Sequence, residues 1–236
     1  MQKKTSQKLI LIFCAAICLI ALICLAVSKL SSGATTAEDG TSASTEADAG
    51  TSEPPTDSNP ASDALDASLI YYADITIKDY GTITVQLDQA SAPITVANFV
   101  KLAESGFYDG LTFHRIIKGF MMQGGDPKGN GSGGSGETIV GEFAANGHDN
   151  PLSHTRGAIS MARAKSYDSA SSQFFIVHRD SPHLDGQYAA FGYVTEGIEI
   201  VDAICEAAVP TDFNGSIAAD AQPVITSITI RTEQPA

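Results

Sequence analysis

Between Ser31 and Ser68 the chain is built almost entirely from Ser, Thr, Ala, Gly, Pro and acids, with Glu38, Asp39, Glu46, Asp48, Glu53, Asp57, Asp63 and Asp66 and no basic side chain. Such a stretch buries too little apolar area to offset the entropy of ordering its backbone, so it is expected to be disordered. A packed core is thereby confined to residues 69–236, and residues 1–30 form a separate segment. As a flexible coil, residues 31–68 reach roughly 30 to 35 Å, somewhat more with self-repulsion. We read the stretch as a tether; the other reading is an acidic recognition tail.

The segment before it carries Lys3, Lys4 and Lys8 and then runs from Leu9 to Val27 without a charge. At about 1.5 Å per residue this makes roughly 28 Å of helix, close to the hydrocarbon thickness of a bilayer. The apolar part of a cleavable signal is usually about 7 to 15 residues long, which favours a retained anchor. Cleavage is the alternative, because Ala26-Val27-Ser28 and Ser32-Gly33-Ala34 offer small residues at suitable spacing. Lysines lie mainly before the segment, with Lys29 after it, so the N-terminus is expected on the cytoplasmic side and the folded part outside. The expectation is a single-pass membrane protein with an extracytoplasmic domain, or a secreted one if the segment is cleaved.

Cys14, Cys18 and Cys24 lie inside the apolar run, and Cys205 alone belongs to the globular part. No disulfide can form within the domain, so its core stands on packing. The chain has a formal net charge of −13, and the acidic excess persists in the domain. Such a surface repels nucleic acid and anionic lipid, which excludes a nucleic-acid-binding function.

Within the domain, Ile75 and Ile77, then Ile83, Val85 and Leu87, alternate with polar residues on either side of Asp79-Tyr80-Gly81, the pattern of a β-hairpin. Pro93 suits a first helical turn, Val96, Phe99, Val100 and Ala103 share one helical face, and Gly106 suits the C-terminal end. Strand-like runs follow at Leu111 to Ile116, Gly157 to Ala162, Gln173 to His178, Ala189 to Val194 and Val224 to Arg231. A second helix is expected near Gly197 to Glu206, with Ile198, Val201, Ile204 and Cys205 inward. Many short strands with two helices suggest a mainly β fold, a closed antiparallel barrel capped by helices.

Four stretches stand out in order: Phe113 to Asp126 (FHRIIKGFMMQGGD), Gly157 to Ala162 (GAISMA), Ser172 to Ile176 (SQFFI) and Leu184 to Gly192 (LDGQYAAFG). Together they closely resemble the cyclophilins, and the match is collinear from about Asp74 to Ile230. The resemblance implies a closed eight-stranded antiparallel barrel with two capping helices and a groove for an X-Pro dipeptide. It further implies that Arg115, Gln123 and Phe120 are catalytic, and that Met121, Ala162, Arg163, Gln173, Phe175, His183, Leu184 and Tyr188 bind substrate. The partners it implies are proline-containing segments of unfolded or exported proteins, acted on by a monomeric isomerase with no cofactor and no metal.

Residue types make that chemistry reasonable. Rotation about an X-Pro bond is opposed by amide resonance, with a barrier of ~18–20 kcal/mol. At the twisted transition state the proline nitrogen becomes pyramidal and gains a lone pair. A guanidinium can satisfy that lone pair with a hydrogen bond that the planar ground state lacks, and such differential binding is the condition for catalysis. Arg115 fits, being always charged and presenting its donors in a fixed fork. Phe120, Met121, Phe175 and Leu184 would form an apolar floor for the proline ring, while Gln123 and Gln173 orient backbone groups. A non-catalytic proline-peptide-binding chaperone or scaffold module is the alternative, and it would have no need of Arg115.

The chain departs from many eukaryotic relatives at His183 (Trp), Tyr188 (His), Arg163 (Asn) and Lys118 (Pro), in the manner of the bacterial branch. Loss of the indole donor at His183 implies weaker binding of the family's cyclic-peptide inhibitor. Other signals point elsewhere only weakly. Gly129 to Gly134 matches G-x-G-x-x-G, but that fingerprint needs a strand before it and a helix after it, whereas strand-like Thr138-Ile139-Val140 follows. His148 and His154 sit in loop sequence without Cys or a spaced carboxylate to complete a metal site.

Overall fold

The structure, a computed structural model, describes residues 65–235. The expected anchor or signal segment and all but the last residues of the expected tether lie outside the described residues. Among the described residues no helix is long and apolar enough to cross a membrane.

Eight strands are present: β1 Ile70–Ile77, β2 Gly81–Leu87, β3 Thr112–Ile117, β4 Met121–Asp126, β5 Ala158–Met161, β6 Phe174–Val177, β7 Ala190–Glu196 and β8 Ile225–Glu233. The helices are α1 Pro93–Glu104 and α2 Ile198–Ala207. The strands form one antiparallel sheet in the order β3-β4-β6-β5-β7-β2-β1-β8. The sheet curls so that its two edges meet where β3 and β8 begin. There Gly110 N–H donates to Ile225 O (2.8 Å), Ile225 N–H to Leu111 O (2.8 Å) and Phe113 N–H to Pro223 O (2.9 Å). The join is a single bridge, Thr112 with Val224, and not a continuous ladder. The architecture is therefore a curled, eight-stranded half-barrel with two helices.

The β1–β2 hairpin follows its period-2 pattern, with Ile75, Ile77, Ile83, Val85 and Leu87 buried. Its turn needs a left-handed residue, which Asp79 supplies at φ 66°. Helix α1 begins on Pro93, buries Val96, Phe99, Val100 and Ala103, and ends as expected near Gly106. Gly106 N–H donates to Ala103 O and Phe107 N–H to Leu102 O, the paired bonds of a Schellman end. In α2, Val201, Ile204 and Cys205 are buried, and burial pushes the Cys205 thiol up to about 12, leaving it protonated and inert.

Two expectations from local pattern change. The run Thr138-Ile139-Val140 is no strand; it makes one bridge, Ile139 with Ala170. Strand β4, absent from the pattern reading, is formed by pairing with β3 and β6, and its glycines, which mask it in sequence, are required by packing. A Cβ at Gly124 would lie 2.8 Å from Thr112 O, and one at Gly125 would lie 2.5 Å from Ser172 O.

The interior of the curl holds one large apolar cluster. Helix α1 inserts Phe99 among Tyr108, Phe174 and Phe191, with ring centroids 5.2–5.5 Å apart. A second, smaller cluster lies on the other face of the sheet: Met121, Ala158, Phe175, Val177 and Leu184, with Phe120, Ala162 and Tyr188 packed against it. Neighbouring residues on β4 and β6 thus part company, Met122, Phe174 and Ile176 inward and Met121, Phe175 and Val177 outward.

The start of α1 has no side-chain cap of its own. Glu142, buried at 3% exposure, reaches it from a distant loop and accepts from Ile94 N–H (3.0 Å), Thr95 N–H (2.8 Å) and Thr95 Oγ1 (2.7 Å). A carboxylate there satisfies orphan amides and complements the helix dipole. Glu142→Ala is expected to destabilise the domain by roughly 1–3 kcal/mol, and Glu142→Gln by less, read from urea unfolding midpoints at unchanged slope.

Candidate active site

A one-residue irregularity in β3 creates the site. Phe113 pairs with Gly124 and Arg115 with Gln123, so His114 is extra on its strand. With strict alternation Arg115 would point inward beside Phe113. The bulge turns it to the outer face and restores Ile116 to the core and Ile117 to the outer cluster. Register then runs a row across the sheet, from Arg115 on β3 through Gln123 on β4 and Phe175 on β6 to Ser160 on β5.

Hydrogen bonds hold this row. Arg115 Nε donates to Asn214 O (2.7 Å) and Nη1 to Gln123 Oε1 (3.2 Å). Gln123 Nε2 donates to Gln173 Oε1 (2.9 Å), and Gln173 Nε2 donates to Gly133 O (2.8 Å) and Gly131 O (3.1 Å). Burial pulls the Arg115 pKa down, with Tyr188 and Asp212 opposing; a guanidinium remains charged regardless.

Nine of the expected residues, Arg115, Phe120, Met121, Gln123, Ala162, Arg163, Phe175, Leu184 and Tyr188, line a single cavity of about 230 Å³. Gln173 lines the adjoining cavity, about 290 Å³, which shares Gln123, Ala162 and Arg163 with the first. His183 lines neither. It is exposed, with its ring 5.6 Å from that of Phe120. Phe120 is placed by the β3–β4 turn: its N–H donates to Ile117 O, and its carbonyl accepts from His178 N–H (2.8 Å).

Sequence reasoning missed the support behind this floor. His154 is buried, with Nδ1 2.9 Å from Asp185 Oδ1 and Nε2 3.0 Å from Ser160 Oγ, and its ring stacks on Phe175 at 6.1 Å. Both ring nitrogens are engaged, which accounts for His154 without a metal. The connectivity is that of a hydrolytic triad, but Ser160 has no exposed surface and cannot attack a substrate. No residue-type pattern reveals such a contact, because the three residues come from separate segments.

The glycine-rich stretch is also accounted for. Asp126 accepts from the amides of Lys128 (2.8 Å), Asn130 (3.1 Å) and Gly131 (2.6 Å), so the protein's own carboxylate fills the cradle that a phosphate would need. Burial works to raise the Asp126 pKa, but amide hydrogen bonds from Lys128, Asn130, Gly133 and Gly131 outweigh it and hold the group below the ordinary range.

With this geometry in place, comparison with known proteins is informative. The family described as "Cyclophilin type peptidyl-prolyl cis-trans isomerase/CLD" matches residues 72–231. Peptidyl-prolyl cis-trans isomerase B of Bacillus subtilis (strain 168) is 53% identical over 123 residues, covering 52% of this chain and 82% of that protein. A peptidyl-prolyl cis-trans isomerase of Helicobacter pylori (strain ATCC 700392 / 26695) is 49% identical over 126 residues, covering 52% and 74%. Among solved structures, a Cryptosporidium parvum cyclophilin type isomerase crystallised in the presence of the dipeptide Ala-Pro superposes with a TM-score of 0.60 at 32% identity, covering 69% of this chain and 99% of that one.

Two histidines in and beneath the site carry a pH signature. Burial lowers the His114 pKa, with Asp126 raising it and Arg115 lowering it further; both ring nitrogens of His114 are buried without a protein partner. Burial likewise lowers the His154 pKa against the raising effect of Asp185. A histidine with a lower pKa folded than unfolded leaves the unfolded chain holding more protons. The stability it contributes is whole above the ordinary value of 6.5 and is lost as pH falls below it. Unfolding free energy should therefore decline from pH 7 to pH 5, and His114→Gln should flatten that decline in denaturant titrations.

Proposed function

The chain belongs to the cyclophilin-type peptidyl-prolyl cis-trans isomerases, and from that premise we propose that Arg115 is the group that catalyses X-Pro rotation in this domain. The observation that carries the reading is a guanidinium tethered at Nε and Nη1 above an apolar floor, with Nη2 left, among the described residues, without a protein partner. The proline ring would rest on Phe120, Met121, Phe175 and Leu184. The guanidinium would then meet the nitrogen lone pair that appears only when the amide twists. Its donors are already oriented, so little reorganisation is needed at the transition state. Nothing is cut, and no nucleophile is called for. Gln123 acts by holding Arg115 and by linking it to Gln173.

The substrates we propose are proline-containing segments of exported chains, for which slow X-Pro steps prolong exposure of apolar surface. The uncharged run Leu9–Val27 with Lys3, Lys4 and Lys8 before it supports an extracytoplasmic domain on an anchor. The acidic stretch supports a flexible tether between the two.

The test is cis-to-trans exchange of an X-Pro peptide, followed by protease-free NMR with the full chain. Arg115→Ala should lower kcat/KM on the order of 10²- to 10³-fold while the domain stays folded. Arg115→Lys should recover little, because a point charge cannot reproduce the fork. Unchanged kcat/KM in Arg115→Ala would refute the role. Peptide binding with exchange at the uncatalysed rate in the unmodified chain would leave only a binding module.

A further inference from the structure

The two adjoining cavities share one wall, and its charged member is Arg163. This guanidinium is clamped rather than ion-paired. Its central carbon lies 4.6 Å from the Tyr188 ring centroid, 5.0 Å from that of Tyr167 and 5.1 Å from that of Phe143. Its N–H groups donate to neutral carbonyls, Nε and Nη2 to Gln187 O (3.1 and 2.9 Å) and Nη1 to Ala164 O (3.1 Å). Aromatic faces and carbonyl dipoles fix a cation in place without cancelling its charge.

Among the described residues no carboxylate pairs with that charge. In a chain of net charge −13, Arg115 and Arg163 are the charged residues lining the two cavities, and no carboxylate lines either. Among the described residues neither arginine is in a salt bridge. The nearby acids keep their charge, but other donors hold them, neither lines the cavities and neither pairs with an arginine. Asp168, on the loop after Arg163, accepts from Gly141 N–H and Asn146 Nδ2, and Asp212, felt by Arg115, accepts from Asn214 N–H and Ser216 N–H. The remaining wall of the second cavity is polar, with Ser132, Ser169 and Ser171 beside glycine backbone.

We infer that the second cavity selects substrates carrying an acidic side chain one or two residues from the proline, with Arg163 as the specificity-determining residue. The inference rests on the isomerase reading above and adds the class of substrate. A carboxylate in this cavity would meet a half-buried cation already fixed in place, at little cost in ordering it. A lysine in the same place would face like charge from both arginines.

The experiment measures kcat/KM by NMR exchange on the full chain. The peptides are alanine-based X-Pro peptides with Glu, Gln or Lys at each of two positions on either side of the proline, at about 20 mM and about 500 mM salt. At one flank Glu should exceed Gln, and Gln exceed Lys, by about three- to tenfold per step at low salt, and the ratios should shrink at high salt. Arg163→Gln should bring the ratios close to one, and Arg163→Lys should restore the order. Because either variant could loosen its aromatic cage, the salt-dependent order in the unmodified chain tests the acidic preference on its own, and the two variants assign it to Arg163. Equal rates for Glu, Gln and Lys at every position would overturn the inference with the isomerase reading intact. Exchange at the uncatalysed rate for every peptide would overturn both.

Discussion

The structure depends on one extra residue in β3. Alternation is absolute in a regular strand, so without the His114 bulge the arginine would project into the apolar interior, where an unpaired guanidinium is untenable. The bulge is in turn set by the partner strand. Phe113 lies so close over β4 that the residue opposite it can have no Cβ, and Gly124 is that residue. Close packing of the Phe113 ring and the Thr112 carbonyl on Gly124 thus accompanies the register shift that turns the charge outward. His114, left over by the irregularity, lies buried beneath Gly131 with no protein partner at either ring nitrogen.

From this point the site is held by relay. The carboxylate of Asp126 gathers the amides of the glycine-rich loop, the carbonyls of that loop take the Gln173 amide, and Gln173, Gln123 and Arg115 follow in line to the Asn214 carbonyl. Two loops on opposite sides of the groove are therefore tied through three side chains, Arg115 and Gln123 on paired strands and Gln173 just before β6. Rigid strands supply the precision and the loops supply the walls. The same economy appears under the floor, where His154 presses on Phe175 from a position fixed at both nitrogens.

Much of this was legible from residues alone, and what was not follows from physical causes. Helix α1, helix α2 and the first hairpin are visible because each buries one stripe of a regular period, as with Val96, Phe99, Val100 and Ala103. Strand β4 is invisible to propensity because Gly124 and Gly125 are poor strand formers that long-range contacts require. Thr138-Ile139-Val140 has the composition of a strand, but its one bridge is Ile139 with Ala170, and Ile139 packs against the core. The number of strands and the membership of the groove came through resemblance, since Met121 and Phe175 look like core residues by composition and are in fact buried, on the opposite face. The Glu142 cap and the Ser160–His154–Asp185 chain join segments distant in sequence, which no local pattern encodes.

The Ser160–His154–Asp185 connectivity also explains what kind of chemistry the fold favours. In a hydrolase the same three residue types are useful because the hydroxyl is open to substrate. Here the hydroxyl is closed off and the carboxylate lies at the surface, so the chain of hydrogen bonds stiffens the floor and supplies no nucleophile. Isomerisation needs no bond broken in the backbone; it needs an apolar seat for one ring and one directional charge that the twisted amide can find. On the reading proposed above, Arg115 supplies the charge from one row across the sheet, and Phe120, Met121 and Leu184 join Phe175 of that row to make the seat. Everything else lining the groove is then free to discriminate among the segments that flank the proline, and Arg163, fixed by three rings outside that row, is the group whose charge is left for that purpose.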